Sequence, residues 1–135
     1  MTAAKSVPPD STRSEQLSGT WSLDTEVQSS SMRAFEGLQL GYRLQLNQQG
    51  DRITGHGQKI RENGRELTAP ARTPISVHGT IEGNQLVLTY TEQGHRRASH
   101  GTFVLQRDDD GTLRGKFSSD AAQSSGLAAA RRPRN

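Results

Sequence analysis

From Ser18 to Arg132 the chain alternates apolar and polar residues in short runs, and turn-forming residues punctuate the runs. A period of two places successive side chains on opposite faces of an extended strand, whereas helical spacing is not found. The runs cover residues 18–26, 38–47, 51–59, 74–81, 85–92, 97–107, 111–118 and 125–132. Their connections alternate in length. Gln48-Gln49-Gly50, Glu82-Gly83-Asn84 and Asp108-Asp109-Asp110 fall in short hairpin turns, while 27–37, 60–73, 93–96 and 119–124 are longer links. In an antiparallel meander alternate connections lie at opposite ends, so the tight turns gather at one end and the long loops at the other. Neighbouring short connections favour a meander over a Greek key, and closure removes exposed strand edges. The expected fold is all-β: a single antiparallel up-and-down barrel of about eight strands.

Parity assigns the faces. Leu38, Leu40, Tyr42, Leu44 and Leu46 share one side of their run, with Arg43, Gln45 and Asn47 on the other. Ile75, Val77, Gly79 and Ile81 repeat the pattern, as do Leu86, Leu88 and Tyr90, then Gly101, Phe103 and Leu105, then Leu113, Gly115 and Phe117. In the last run Leu127, Ala129 and Arg131 are expected to point inward. Gly55, Gly57, Gly79, Gly101 and Gly115 take the inward parity in mid-strand, which weakens a strand and calls for a reason. One reason is sharp coiling in a narrow barrel; the other is an internal space kept open by missing side chains.

The 135 residues suffice for one domain with a modest core. Only 30% are hydrophobic, but these are concentrated after residue 17. Residues 1–17, with Pro8-Pro9 and many small polar side chains, read as a disordered leader or linker. Residues 18–132 form the barrel and 133–135 a flexible tail. The net charge is +3, and Arg131, Arg132 and Arg134 supply all of it, which leaves fourteen basic against fourteen acidic residues before them. Phosphate binding needs a basic face, so no nucleic-acid partner is expected. The absence of cysteine excludes disulfides, thiolate metal sites and cysteine nucleophiles. No apolar run is long enough to span a membrane as a helix, and the N-terminus lacks a hydrophobic signal core. The leader is equally compatible with a trimmed export signal or an interdomain linker, so the compartment stays open. A monomer is expected.

Leu17-Ser18-Gly19-Thr20-Trp21 opens the first run and Arg131-Arg132 ends the last. This resembles the calycin superfamily of lipocalins, fatty-acid-binding proteins and avidins. There a Gly-x-Trp at the start of strand one packs beneath the barrel and a late Arg or Lys covers the indole. The resemblance implies that Trp21 is the floor residue, with Arg131, on the inward parity, stacked on it. It also implies small-molecule binding inside the barrel. The Thr-Asp-Tyr segment and C-terminal helix of lipocalins are missing. The several tryptophans of an avidin biotin pocket are missing too.

Continuing the inward parity toward the long loops brings Tyr42, Lys59, Tyr90, Glu92, Arg97, Ser99 and Ser119 to a rim. Leu40, Leu44, Val77, Leu88, Phe103 and Phe117 lie below them, with Phe35 and Met32 as a lid. An apolar well under a Lys–Arg rim suits an amphiphile with an anionic head. The ligand-binding candidates are therefore Tyr42, Lys59, Tyr90, Arg97, Ser99, Phe117 and Phe35. His56, His78 and His100 are assigned to the outer face, where two imidazoles without a carboxylate make an incomplete metal site. His95 has no adjacent nucleophile and orienting group. Asp108–Gly111 is a fragment of a calcium loop without its downstream Glu, placed where a hairpin turn is required. No metal, cofactor or catalytic residue is expected. The leading expectation is a non-enzymatic module that binds a small apolar or amphiphilic molecule at the long-loop mouth. The alternative is a protein-interaction or accessory domain with a filled barrel.

Overall fold

The computed structural model describes residues 17–133. Nine strands follow one another: β1 (Gly19–Ser29), β2 (Gln39–Gln49), β3 (Arg52–Glu62), β4 (Arg65–Glu66), β5 (Thr73–Glu82), β6 (Gln85–Gln93), β7 (Ala98–Arg107), β8 (Leu113–Ser119) and β9 (Ser124–Arg131). All pairings are antiparallel and run β2-β1-β9-β8-β7-β6-β5-β3, and a further β2–β3 pairing closes the ring. The protein is thus a closed eight-stranded barrel. β4 is a two-residue extension that folds back on the end of β3 within the long 60–73 link. Single-turn 3-10 helices at Arg33–Phe35, Ala69–Ala71 and Ala121–Gln123 lie in three of the long connections.

Short turns join β2 to β3, β5 to β6 and β7 to β8 at one end, the floor. Gly50 (φ +63°) and Gly83 (φ +59°) supply the left-handed backbone that two of these turns need. In the third, Asp108 and Asp110 both face Arg114, the latter at 3.9 Å, and Asp110 Oδ1 accepts the Thr112 N–H. The acidic run is therefore a capped turn with its charge answered by an arginine.

The floor half of the interior is filled. Trp21, Leu23, Leu46, Ile53, Leu86 and Leu113 are each buried there. The Trp21 indole N–H donates to the Leu17 carbonyl (2.8 Å), and Leu17 is only 1% exposed. Leu17, assigned to the leader from composition, therefore belongs to the core, because its carbonyl answers a buried donor. The rest of the expected leader, residues 1–16, lies outside the described residues, as do Arg134 and Asn135 of the expected tail.

The mid-strand glycines serve strand coiling. A Cβ on Gly57 would lie 1.8 Å from the Arg43 carbonyl oxygen, and one on Gly79 would lie 1.8 Å from that of Val87. At these points the neighbouring backbone occupies the side-chain position.

The last strand differs from its expected parity. Gly126, Ala128 and Ala130 point inward, whereas Leu127 is 44% exposed and Arg131 faces solvent. Pairing decides this: Leu127 sits opposite Lys116 on β8 and Glu26 on β1, both outward positions. The residue over Trp21 is consequently Arg132 rather than Arg131, with its guanidinium carbon 4.5 Å from the ring centroid.

Candidate functional site

At the long-loop end the barrel is not filled. A cavity of about 450 Å³ opens at this end, lined by all eight barrel strands and by Ala34 and Phe35 of the 3-10 turn at Arg33–Phe35. Phe35, Tyr42, Tyr90, Phe103 and Phe117 all contribute to its wall. These are five of the six aromatic residues in the chain; the sixth is Trp21 at the floor. Tyr90 and Phe103 stack on each other, with centroids 4.5 Å apart. Val27, Leu38 and Leu40 complete the apolar part. The five mid-strand glycines are not in the wall, so the cavity is not a space left by their missing side chains.

The polar end is organised around Glu92. Its Oε1 accepts the Tyr42 hydroxyl (2.8 Å), its Oε2 accepts the Thr73 hydroxyl (2.7 Å), and Lys59 Nζ lies 3.6 Å from Oε2. Lys59 also pairs with Glu62 at 3.4 Å. Burial, and secondarily the Glu92 charge, push the Tyr42 phenol well above the ordinary tyrosine range, so it remains a donor. Burial also raises Tyr90, whose hydroxyl donates to the Ser118 carbonyl (3.2 Å).

The mouth loops are tied together. The Ala122 carbonyl accepts the Ser31 N–H (2.8 Å) and the hydroxyls of Ser31 (2.8 Å) and Ser30 (3.1 Å). Ala122 (φ +51°) and Gln123 (φ +47°) both adopt left-handed backbone without being glycine. Such strain persists only where surrounding contacts enforce it, and here three hydrogen bonds to one carbonyl do so.

Of the residues expected at the mouth, Tyr42, Lys59, Tyr90, Ser99, Phe117 and Phe35 line the cavity, and so do Glu92 and Ser119. Arg97 does not. The Gly94 N–H donates to the Arg97 carbonyl (3.0 Å), closing a turn that holds Arg97 outside β7 and exposed. Met32 is 52% exposed and forms no part of the wall. Leu44, Val77 and Leu88 lie deeper, in the filled core. Thr73, Glu62, His95 and Ser124 line the cavity although none is among the expected rim residues. Thr73 shares parity with Ile75 and Val77, so extending that run by two residues finds it. His95 comes from a loop, where parity carries no information.

His56, His78 and His100 are exposed. His100 pairs with Asp120 at 3.3 Å, and among the described residues no three His, Cys, Asp or Glu side chains are grouped to hold a metal ion. Among the same residues no helix is long and apolar enough to cross a membrane.

These features define a closed antiparallel barrel of eight strands with a floor tryptophan and an open, aromatic mouth, a shape consistent with the calycin fold. No family model matches the chain, and no curated protein matches it.

Proposed function

We propose that this protein is a non-enzymatic binding module of calycin-like type that takes one small, largely apolar molecule in the mouth of its barrel. The observation that carries the reading is the placement of five of six aromatic side chains around one cavity of about 450 Å³. Ligand sites of this kind are concave and mostly apolar, of a few hundred Å³, with a few fixed polar groups. The Tyr42–Glu92–Thr73 network supplies fixed polar groups on one wall, held in place before any ligand arrives.

Titration with 1-octanol, followed by amide chemical shifts, tests the reading. Shifts confined to residues 25–42, 59–62, 90–99 and 117–124 are expected, and Ser99→Trp, which fills the mouth, abolishes them. An absence of shifts with octanol and with other apolar probes of that size would overturn it.

A second reading, a protein-interaction domain, has one observation in its favour. Val87 and Val104 are cross-strand partners on the outer face, 39% and 41% exposed, in the same row as Lys116 and Leu127. Concentration-dependent association or partner capture that Val104→Lys removes, together with a mouth that binds nothing, would favour it.

A further inference from the structure

The charges within the cavity wall are unequal. One ammonium, Lys59, faces two carboxylates, Glu62 and Glu92. Lys59 and Glu92 are well shielded, with side chains 16% and 14% exposed, while Glu62 at 45% stands at the rim. Arg97, the expected second cation, is outside the wall, and Arg33 in the 3-10 turn is exposed.

The hydroxyl donors beside Glu92 are already committed. Both hydroxyls nearest the charged groups, on Tyr42 and Thr73, point at Glu92. An anionic head entering here would meet two carboxylates, with Lys59 already paired to both. A carboxylate can accept about four hydrogen bonds, and Glu92 receives two hydroxyls and one more distant ammonium. Acceptor capacity on Glu92 therefore remains unspent. Tyr90, Phe103 and Phe117 share the cavity wall with Glu92, and aromatic π-systems attract a cation. On the Glu92 side, where the side chains are shielded from water, electrostatic preference is amplified.

Resting on the proposed binding role, we infer that the ligand is an organic amine: an apolar body carrying an ammonium group that sits between the Glu62 and Glu92 carboxylates and the aromatic wall. This replaces the anionic head expected from the sequence. That expectation depended on Arg97 reaching the mouth.

The test compares octylamine, 1-octanol and octanoate, three probes with one tail and different heads, by calorimetry at neutral pH. Octylamine is expected to bind about tenfold more tightly than octanol, the ratio that a charge-assisted hydrogen bond adds over a neutral one. Octanoate is expected to bind more weakly than octanol. Glu92→Gln and the rim variant Glu62→Gln should each lower the octylamine-to-octanol ratio, and Glu62→Gln keeps the test open if the buried variant fails to fold. Octanol binding without an amine preference, octanoate binding as tight as octylamine, or a ratio unchanged in the folded variants would overturn the amine assignment and leave the binding role standing. Failure of all three probes to bind would overturn both.

Discussion

The guanidinium of Arg132 lies over the indole of Trp21, 4.5 Å from the ring centroid, and its Nη1 donates to the Ser18 carbonyl at 3.1 Å. The first residue beyond β9 thereby closes the floor against the residue just before β1. Arg132→Ala should cost about 1 kcal/mol, the value of a partly exposed cation–π contact, while Arg131→Ala should change little. Trp21→Ala should cost about 3–5 kcal/mol as a large-to-small core change. Urea unfolding followed by circular dichroism measures all three. Equal losses for the two arginine variants would contradict the stacking.

Gly79→Ala should be among the most disruptive single changes in the chain. The added Cβ would have to share space with the Val87 carbonyl oxygen across the β5–β6 pairing, and backbone cannot give way as a flexible side chain does. A loss of about 3 kcal/mol or more, or failure to accumulate folded protein, is expected. A variant as stable as the parent would show that the strands do not need this close approach.

Both tyrosines of the chain are held protonated beyond the ordinary range, first by burial. A pKa raised in the folded state stabilises the fold fully below the unfolded value, near 10, and loses that contribution as pH rises through the folded value. Phenolate absorbance should therefore remain low past pH ~10 and then rise together with loss of the folded circular dichroism signal. A titration with an ordinary midpoint while the barrel stays folded would contradict the burial of Tyr42 at the Glu92 network.

Arg97→Ala and Lys59→Met separate two rim cations that look alike in sequence. Arg97 is exposed and outside the cavity wall, so its removal should alter stability by less than about 0.5 kcal/mol and leave ligand affinity unchanged. Lys59 lies 3.6 Å from Glu92 and 3.4 Å from Glu62 and pairs with both. Its removal leaves a shielded carboxylate without its cation and should cost about 1–3 kcal/mol. Thermal melts of the two variants side by side give the answer.

The reach of the sequence can be followed residue by residue. Tyr42, Tyr90 and Phe117 lie in runs whose apolar residues share one parity, Val87 excepted, and alternation brings them to one space. β9 offers mainly alanines and one leucine, so the largest apolar side chain misleads. What fixes its face is the close pass of Gly126, whose Cβ would lie 1.9 Å from the Glu26 carbonyl oxygen. That is a contact between strands far apart in the chain. Arg97 was misplaced because strand parity was extended into a turn that the Gly94–Arg97 hydrogen bond takes out of the sheet. The Glu92 network unites residues from β2, β3, β5 and β6. Tyr42 pairs with Lys59, and Lys59 with Thr73, across successive strands, so parity brings them to one rim while the strand register decides their contacts.

Because β1 begins and β9 ends side by side at the floor, the two strands form an adjacent antiparallel pair whose outer ends can be pulled from the same point. A force applied at Leu17 and Arg132 would not slide these strands along each other against many hydrogen bonds at once. It would peel them apart one pairing at a time, starting at Ser22 and Arg131 and moving toward the mouth. Under tension this barrel is a zipper: mechanically soft across its own seam, whatever its resistance to heat.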